Sequence, residues 1–119
     1  MTRTLTITAT EVPSGTVLAL AGDLHLHTAG QLRDILKKTD LDAGQQLIID
    51  MKALDFCDSS GIAALVAAYR HAQKSRATLA LTAPSARLAR LLALSGLDRF
   101  LALYPTTAEA QAAWTPPSP

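Results

Sequence analysis

The stretch LIIDMKALDFCDSSG, residues 47–61, decides the fold class. It begins with three apolar residues and reaches Asp50, a pattern typical of a short strand that is buried on both faces. Its last residues, Asp58 to Gly61, are those that favour the start of a helix. A buried strand, a short loop and a helix start form the unit from which parallel sheets are built.

The residues on either side of this stretch continue the alternation of strands and helices. Period-two patterns predict two N-terminal strands, at 5–12 and 16–21, which pair as a hairpin around the turn at 13–15. The later predicted elements are, in chain order, a helix capped by Thr28, the strand at 47–50, a helix at 59–75 with its apolar stripe on Ile62, Leu65, Val66 and Tyr69, a strand at 78–82, a helix at 85–95, a strand at 100–104 and a helix capped by Thr107.

This order predicts an α/β fold with a mostly parallel sheet, an antiparallel edge strand from the N-terminal hairpin, and a cover of about four helices. The length of 119 residues favours a single domain, 1–114, and the composition of 115–119 predicts a disordered tail. Binding sites in such folds lie at the carboxyl ends of strands, so the loops predicted at 22–28 and 52–60 are the candidates.

Composition excludes several functional classes. The formal net charge of +1 argues against direct nucleic-acid binding, which needs a concentrated basic surface. The longest apolar run, 62–69, is too short to span a bilayer, and the N-terminus lacks the pattern of a secretory signal. The single cysteine, Cys57, cannot form an internal disulfide. We therefore expect a cytoplasmic protein without membrane insertion.

The polar run at 58–60 has two interpretations. Asp58 is the best placed residue to cap the predicted helix, and capping alone explains the run. Alternatively, the N–H groups at the helix N-terminus would tolerate a phosphate on a serine, while a docked partner would be repelled by it. Such a site would switch binding without unfolding the domain.

The segment FCDSSGI, residues 56–62, resembles the signature of STAS domains, and in particular of small bacterial anti-sigma-factor antagonists. The resemblance extends from about residue 16 to residue 104. It includes GDL at 22–24 and LLALSGL at 91–97, in the order that the family has them.

The resemblance implies a partner-switching function. Family members bind an anti-sigma factor that is also a serine kinase and thereby free a sigma factor. The serine that the kinase phosphorylates corresponds to Ser59, and a PP2C-type phosphatase restores the antagonist. Asp23 falls where the family carries an acidic residue near the phosphorylation site, whereas His25 stands where an acidic residue is common.

Three further residues complete the expected partner-binding site. Asp58 would orient the loop, Ser60 would support it, and Gly61 would allow the partner to approach closely. The rival interpretation is a STAS scaffold subunit that does not switch, within a transport, lipid-trafficking or stress-signalling complex. In such a complex Ser59 need not be modified.

An enzymatic or metal-binding function is not indicated. The chain lacks the G-x-S-x-G turn of hydrolases and the glycine-rich loops of nucleotide-binding folds, so we expect neither catalysis nor a cofactor. Asp23, His25 and His27 alternate as metal ligands can, but further ligands are hard to name, and we expect no metal. Cys57 is interpreted as a small core residue. The alanines at 63, 64, 67 and 68 indicate either close helix packing or a surface for a partner helix.

Overall fold

The computed structural model describes residues 4–117. The elements in chain order are β1 (Leu5–Val12), β2 (Gly15–Leu24), α1 (Ala29–Lys38), β3 (Gln46–Cys57), α2 (Ser59–Lys74), β4 (Thr78–Thr82), α3 (Ala86–Leu94), a 3₁₀ turn (Leu97–Arg99), β5 (Ala102–Tyr104) and α4 (Thr107–Ala113). Residues 114–117 form neither helix nor strand, and the last two residues of the predicted tail lie outside the described part.

The five strands form one sheet whose spatial order is the same as their order along the chain, β1-β2-β3-β4-β5. β1 pairs antiparallel with β2. The other three pairs, β2 with β3, β3 with β4 and β4 with β5, are parallel. The predicted fold class is thereby confirmed, including its antiparallel edge strand and the four helices of the described chain.

Helices cover both faces of the sheet, with unequal cores beneath them. The larger core joins α1, α2 and α3 to side chains such as Leu18, Leu47 and Ile49. The smaller one lies under α4 and consists of Val17, Ile48, Ala80 and Ala110. Consecutive residues of a strand point to opposite faces, so neighbours such as Ile48 and Ile49 belong to different cores. No helix among residues 4–117 has the length and apolarity that crossing a bilayer requires.

Two strands extend further than the sequence predicts, and both carry the candidate loops. β2 continues through Gly22 to residue 24, and β3 continues to residue 57 instead of stopping at residue 50. Gly22 has a φ of 103°, and a register shift follows it. This irregularity is a β-bulge, which lets β2 continue to pair with β3 beyond Gly22. The pairing in turn keeps the second half of β3, up to residue 57, extended. Residues 22–24 of the first predicted loop and residues 52–57 of the second are thus strand.

α2 packs on the sheet through its small residues. The predicted stripe is correct for Leu65, which is fully buried, whereas Ile62, Val66 and Tyr69 are only half-buried. The remaining buried residues of the helix are Gly61, Ala64, Ala68 and Ala72. Side chains this small let the helix axis lie close to the sheet, so the apolar pattern of the larger residues misplaces the buried face by part of a turn.

Two predicted helix caps differ from the structure. Thr28 precedes α1, but its side chain makes no capping bond. Thr106 caps α4 by accepting a hydrogen bond from the N–H of Glu109 at 3.0 Å. Thr107 is the first helical residue, and its hydroxyl lies 3.1 Å from that of the buried Thr82. The sequence alone does not show which of the two adjacent threonines is the cap. The contact of Thr107 with Thr82 of β4 leaves Thr106 as the cap.

Candidate functional site

The candidate site lies at one edge of the sheet, where β2 and β3 end side by side. Asp23 pairs with Phe56 and Leu24 pairs with Cys57 in the parallel register. α2 begins two residues after the end of β3. This geometry brings the GDL segment of β2 to the start of α2. The two segments are distant in sequence, since Leu26, just after β2, and Asp58 are 32 positions apart.

The carboxylate of Asp58 joins the two segments. Its Oδ1 accepts a hydrogen bond from the N–H of Gly61 at 2.9 Å, which caps α2. Its Oδ2 accepts one from the N–H of Leu26 at 3.2 Å, in the turn that follows β2. The N–H of Asp58 donates to the carbonyl of Leu24 at 3.2 Å. Asp58 therefore fixes both the helix start and the neighbouring turn.

These hydrogen bonds also stabilise the charged form of Asp58. The N–H of Gly61 makes the largest contribution to holding the pKa of the carboxyl below its usual value, although partial desolvation opposes this effect. The N–H groups of Leu26 and Ser60 and the nearby His25 imidazole lower the pKa further. A negative charge therefore stands permanently beside Ser59 at neutral pH.

Ser59 is the first residue of α2, and its side chain is exposed. Ser60 is half-buried beside it. The backbone N–H groups and the dipole of a 16-residue helix favour an anion at this end. The arrangement can accept a phosphoryl group on the Ser59 hydroxyl without displacing a buried side chain.

Gly61 is buried against the end of β2. A Cβ atom there would lie 2.5 Å from the carbonyl oxygen of Leu24 and 2.7 Å from the Cys57 Sγ. Packing within the chain is therefore sufficient reason for a glycine at this position. Its contact with a partner, expected from the sequence, stays a prediction.

The turn between β2 and α1 is held by Thr28. Its buried hydroxyl donates to the carbonyl of Asp23 at 2.7 Å and accepts from the N–H of His25 at 2.9 Å. The N–H of His27 donates to Nδ1 of His25 at 3.1 Å, and the two rings meet edge to face. Asp23 is buried and both His25 and Asp58 are half-buried, so Ser59 is the most accessible of these four residues.

Leu26 is the residue at this site that the sequence analysis missed. Its side chain is 67% exposed although it is large and apolar, and its N–H is bound by Asp58. The signal in the sequence was a leucine between two histidines, outside every predicted apolar stripe.

Cys57 packs against the larger core and is half-buried. Burial, with a smaller contribution from the charge of Asp58, raises the pKa of the thiol to about 11. The thiol is consequently protonated at neutral pH and is a poor nucleophile. This agrees with its interpretation as a packing residue.

The predicted alternation of Asp23, His25 and His27 does not assemble a metal centre. Within residues 4–117, no group of three or more histidine, cysteine or acidic side chains is arranged to hold a metal ion. His71, the third histidine of the chain, lies with its Nε2 2.8 Å from the carbonyl oxygen of Thr39.

Comparison with known proteins places the chain within one family. The family model of the STAS domain matches residues 6–110. The anti-sigma-B factor antagonist of Listeria monocytogenes is 29% identical over 79 residues, which cover 66% of this chain and 69% of that protein.

Solved structures share the fold at lower identity. An anti-sigma factor antagonist from Mycobacterium paratuberculosis has a TM-score of 0.76 at 23% identity and covers 93% of this chain and 94% of its own. The Bacillus cell fate determinant SpoIIAA in its phosphorylated form has a TM-score of 0.67 at 22% identity, with 90% and 97% covered.

The same fold also occurs within a much larger protein, an anion transporter. The murine anion transporter Slc26a9 has a TM-score of 0.72 at 19% identity, over 87% of this chain but 18% of the transporter. The fold alone is therefore compatible with either interpretation of the sequence.

Proposed function

The chain belongs to the STAS domain family, and from this premise we propose that it is an anti-sigma-factor antagonist. It binds an anti-sigma factor that is also a serine kinase, and phosphorylation of Ser59 switches this binding off. The observation that carries the proposal is the exposed Ser59 hydroxyl at the first residue of α2, beside the capping carboxylate of Asp58. The relative from Listeria, named an anti-sigma-B factor antagonist, supports it.

The partner surface of the proposal consists of residues at the edge where β2 and β3 end. It comprises Ser59 together with Asp23, His25, Asp58, Ser60 and Gly61. The role of Asp58 is to hold the turn and the helix start in one fixed relation, since it binds an N–H group of each. The exposed Leu26 adds an apolar contact to this surface.

The physical reason for the switch is charge. A phosphate would add about −1.5 to −2 charges next to the carboxylate of Asp58. The free domain accommodates this charge because the phosphate is solvated and lies at a helix N-terminus. In a docked complex the same dianion would be desolvated, and a loss of about 2.7 kcal/mol would weaken binding a hundredfold.

The proposal has further consequences for partners and location. A PP2C-type phosphatase removes the phosphate and restores the antagonist. The chain acts as a binding module in the cytoplasm, without enzymatic activity, direct contact with nucleic acid or membrane insertion. Its effect on transcription passes through the sigma factor that the anti-sigma factor releases.

The proposal is tested by comparing Ser59→Ala and Ser59→Asp baits in lysate of the native host, with bound proteins identified by mass spectrometry. We expect an ATP-binding anti-sigma kinase on the alanine bait, and a loss of about a hundredfold in its affinity for the aspartate bait. Incubation of the purified kinase with the wild-type chain and ATP should place one phosphate on Ser59.

Ser60→Ala is the matched control, because it removes the neighbouring hydroxyl and leaves Ser59 in place. Its single phosphate should still lie on Ser59, at a reduced rate because Ser60 belongs to the proposed partner surface. Phosphate on Ser60, or on the Ser59→Ala variant, would contradict the assignment. Recovery of the same transporter or scaffold subunits on both baits would support the non-switching interpretation instead.

A further inference from the structure

An open groove runs between α1 and α2, on the face of the sheet that carries the larger core. Its volume is about 650 Å³. The residues that line it, here called the α1–α2 groove, are Arg33, Leu36, Lys37, Ala63, Val66, Ala67, Arg70, His71 and Lys74. The α2 positions recur at spacings of three and four residues, so they form one continuous stripe along the helix.

The charge of the groove differs from that of the molecule. The whole chain has 11 lysine and arginine residues against 10 acidic ones. The groove contains Arg33, Lys37, Arg70 and Lys74, and its described lining includes no carboxylate. Both α1 and α2 contribute cationic side chains, so an anionic occupant would be attracted from both sides.

The floor of the groove is formed by apolar side chains, two of which are alanines. Leu36 is buried, Val66 and Ala67 are half-buried, and Ala63 is exposed. The small alanine side chains allow another backbone to approach α2 closely. From residue 63 to residue 74 the helix rises by roughly 16 Å, about three turns, which is the length of a short helical segment.

We propose that the α1–α2 groove binds an acidic amphipathic helix of a partner protein. The apolar face of that helix would lie on Ala63 and Ala67, and its carboxylates would pair with the cations at positions 33, 37, 70 and 74. An amphipathic helix in an apolar groove is a common mode of peptide recognition, and here the basic rims select for acidic flanks. Binding requires no modification of Ser59, so it extends beyond the switch proposed above.

The probe is a synthetic peptide of 14 residues, blocked at both ends, with leucine and alanine on one helical face and glutamate on the other. Its binding to the full chain is measured by fluorescence anisotropy, and the bound surface by ¹⁵N chemical-shift changes. We expect saturable binding, shifts confined to α1 and α2, and weaker binding at high salt because exposed charges are screened.

The variant Arg70→Glu with Lys74→Glu should weaken peptide binding at least about tenfold, equal to about 1.4 kcal/mol. Arg87→Glu with Arg90→Glu is the matched control, since it reverses two exposed arginines on α3 and should bind as the wild type does. Circular dichroism establishes that each variant is folded. Ala63→Phe, which fills the floor without changing the charge of the groove, should also weaken binding.

Three results would overturn the proposal. The first is that both double variants lose peptide binding equally. The second is that a peptide of the same composition in scrambled order binds as tightly. The third is that the chain binds phosphatidylglycerol vesicles but does not bind the peptide. The measurement uses neither kinase nor ATP, so its outcome is independent of the test of Ser59. Peptide binding by both Ser59→Ala and Ser59→Asp would further support the groove as a separate site.

Discussion

At the scale of single residues, Asp58 has the largest structural role in the site. Its two oxygens bind N–H groups that belong to α2 and to the turn after β2. Loss of a carboxylate cap costs about 0.5–2 kcal/mol in typical helices. We expect Asp58→Ala to lower the free energy of unfolding in urea by about 1–2 kcal/mol, because both N–H groups lose their acceptor.

The control for this prediction is Asp58→Asn, which keeps one oxygen acceptor and removes the charge. The folded-state pKa of Asp58 lies below its ordinary value of 3.8. The charge therefore stabilises the fold above about pH 4, and this contribution disappears as the pH falls through the folded-state pKa. The stability difference between wild type and Asp58→Asn should shrink from pH 6 to pH 2.5. A constant difference would show that the charge contributes nothing.

At the scale of elements, the contact between α2 and β2 depends on the absence of a side chain at Gly61. A Cβ there would lie 2.5 Å from the carbonyl oxygen of Leu24, so Gly61→Ala must push the helix away from the strand. We expect a loss of about 1–3 kcal/mol in the free energy of unfolding, which urea denaturation measures.

Gly30 provides the matched control within α1. A Cβ at Gly30 meets no atom within 4 Å, and alanine favours the helix over glycine. Gly30→Ala should therefore stabilise the protein by about 0.5–1 kcal/mol. The same substitution in two helices thus has opposite expected signs, and a neutral Gly61→Ala would contradict the packing described here.

The ends of the elements show what the sequence can and cannot predict. The cap at Asp58 could be predicted because a cap and its N–H partner are three residues apart. The ends of β2 and β3 could not, since their extension depends on pairing between distant segments. At the site, Ser59 and Asp58 were identified from a local motif. The bond from Leu26 to Asp58 joins residues 32 positions apart and leaves no local signal.

At the scale of the whole molecule, the C-terminal segment is tied to the beginning of β3. The indole N–H of Trp114 donates to the carbonyl of Gly44 at 2.8 Å, and the side-chain amide of the buried Gln46 donates to the carbonyl of Ala110 at 2.9 Å. These bonds link α4 to the sheet, so α4 should unfold together with it.

Trp114 is the single tryptophan, so its fluorescence reports on this contact. We expect its transition in urea to coincide with that of far-ultraviolet circular dichroism, which reports on all helices and strands. Coincidence would support the predicted single domain over 1–114. A fluorescence transition at lower urea would instead show that α4 detaches before the sheet unfolds. Trp114→Phe supplies the fluorescence background.

The order of the strands has a consequence for how the chain acquires its structure during synthesis. From β2 onward each strand pairs with the one made just before it, so every new strand finds a partner that is already synthesised. Chain closure between neighbours costs less entropy than closure across the whole sequence. The sheet can therefore grow from its N-terminal hairpin by adding one strand at a time as the ribosome advances.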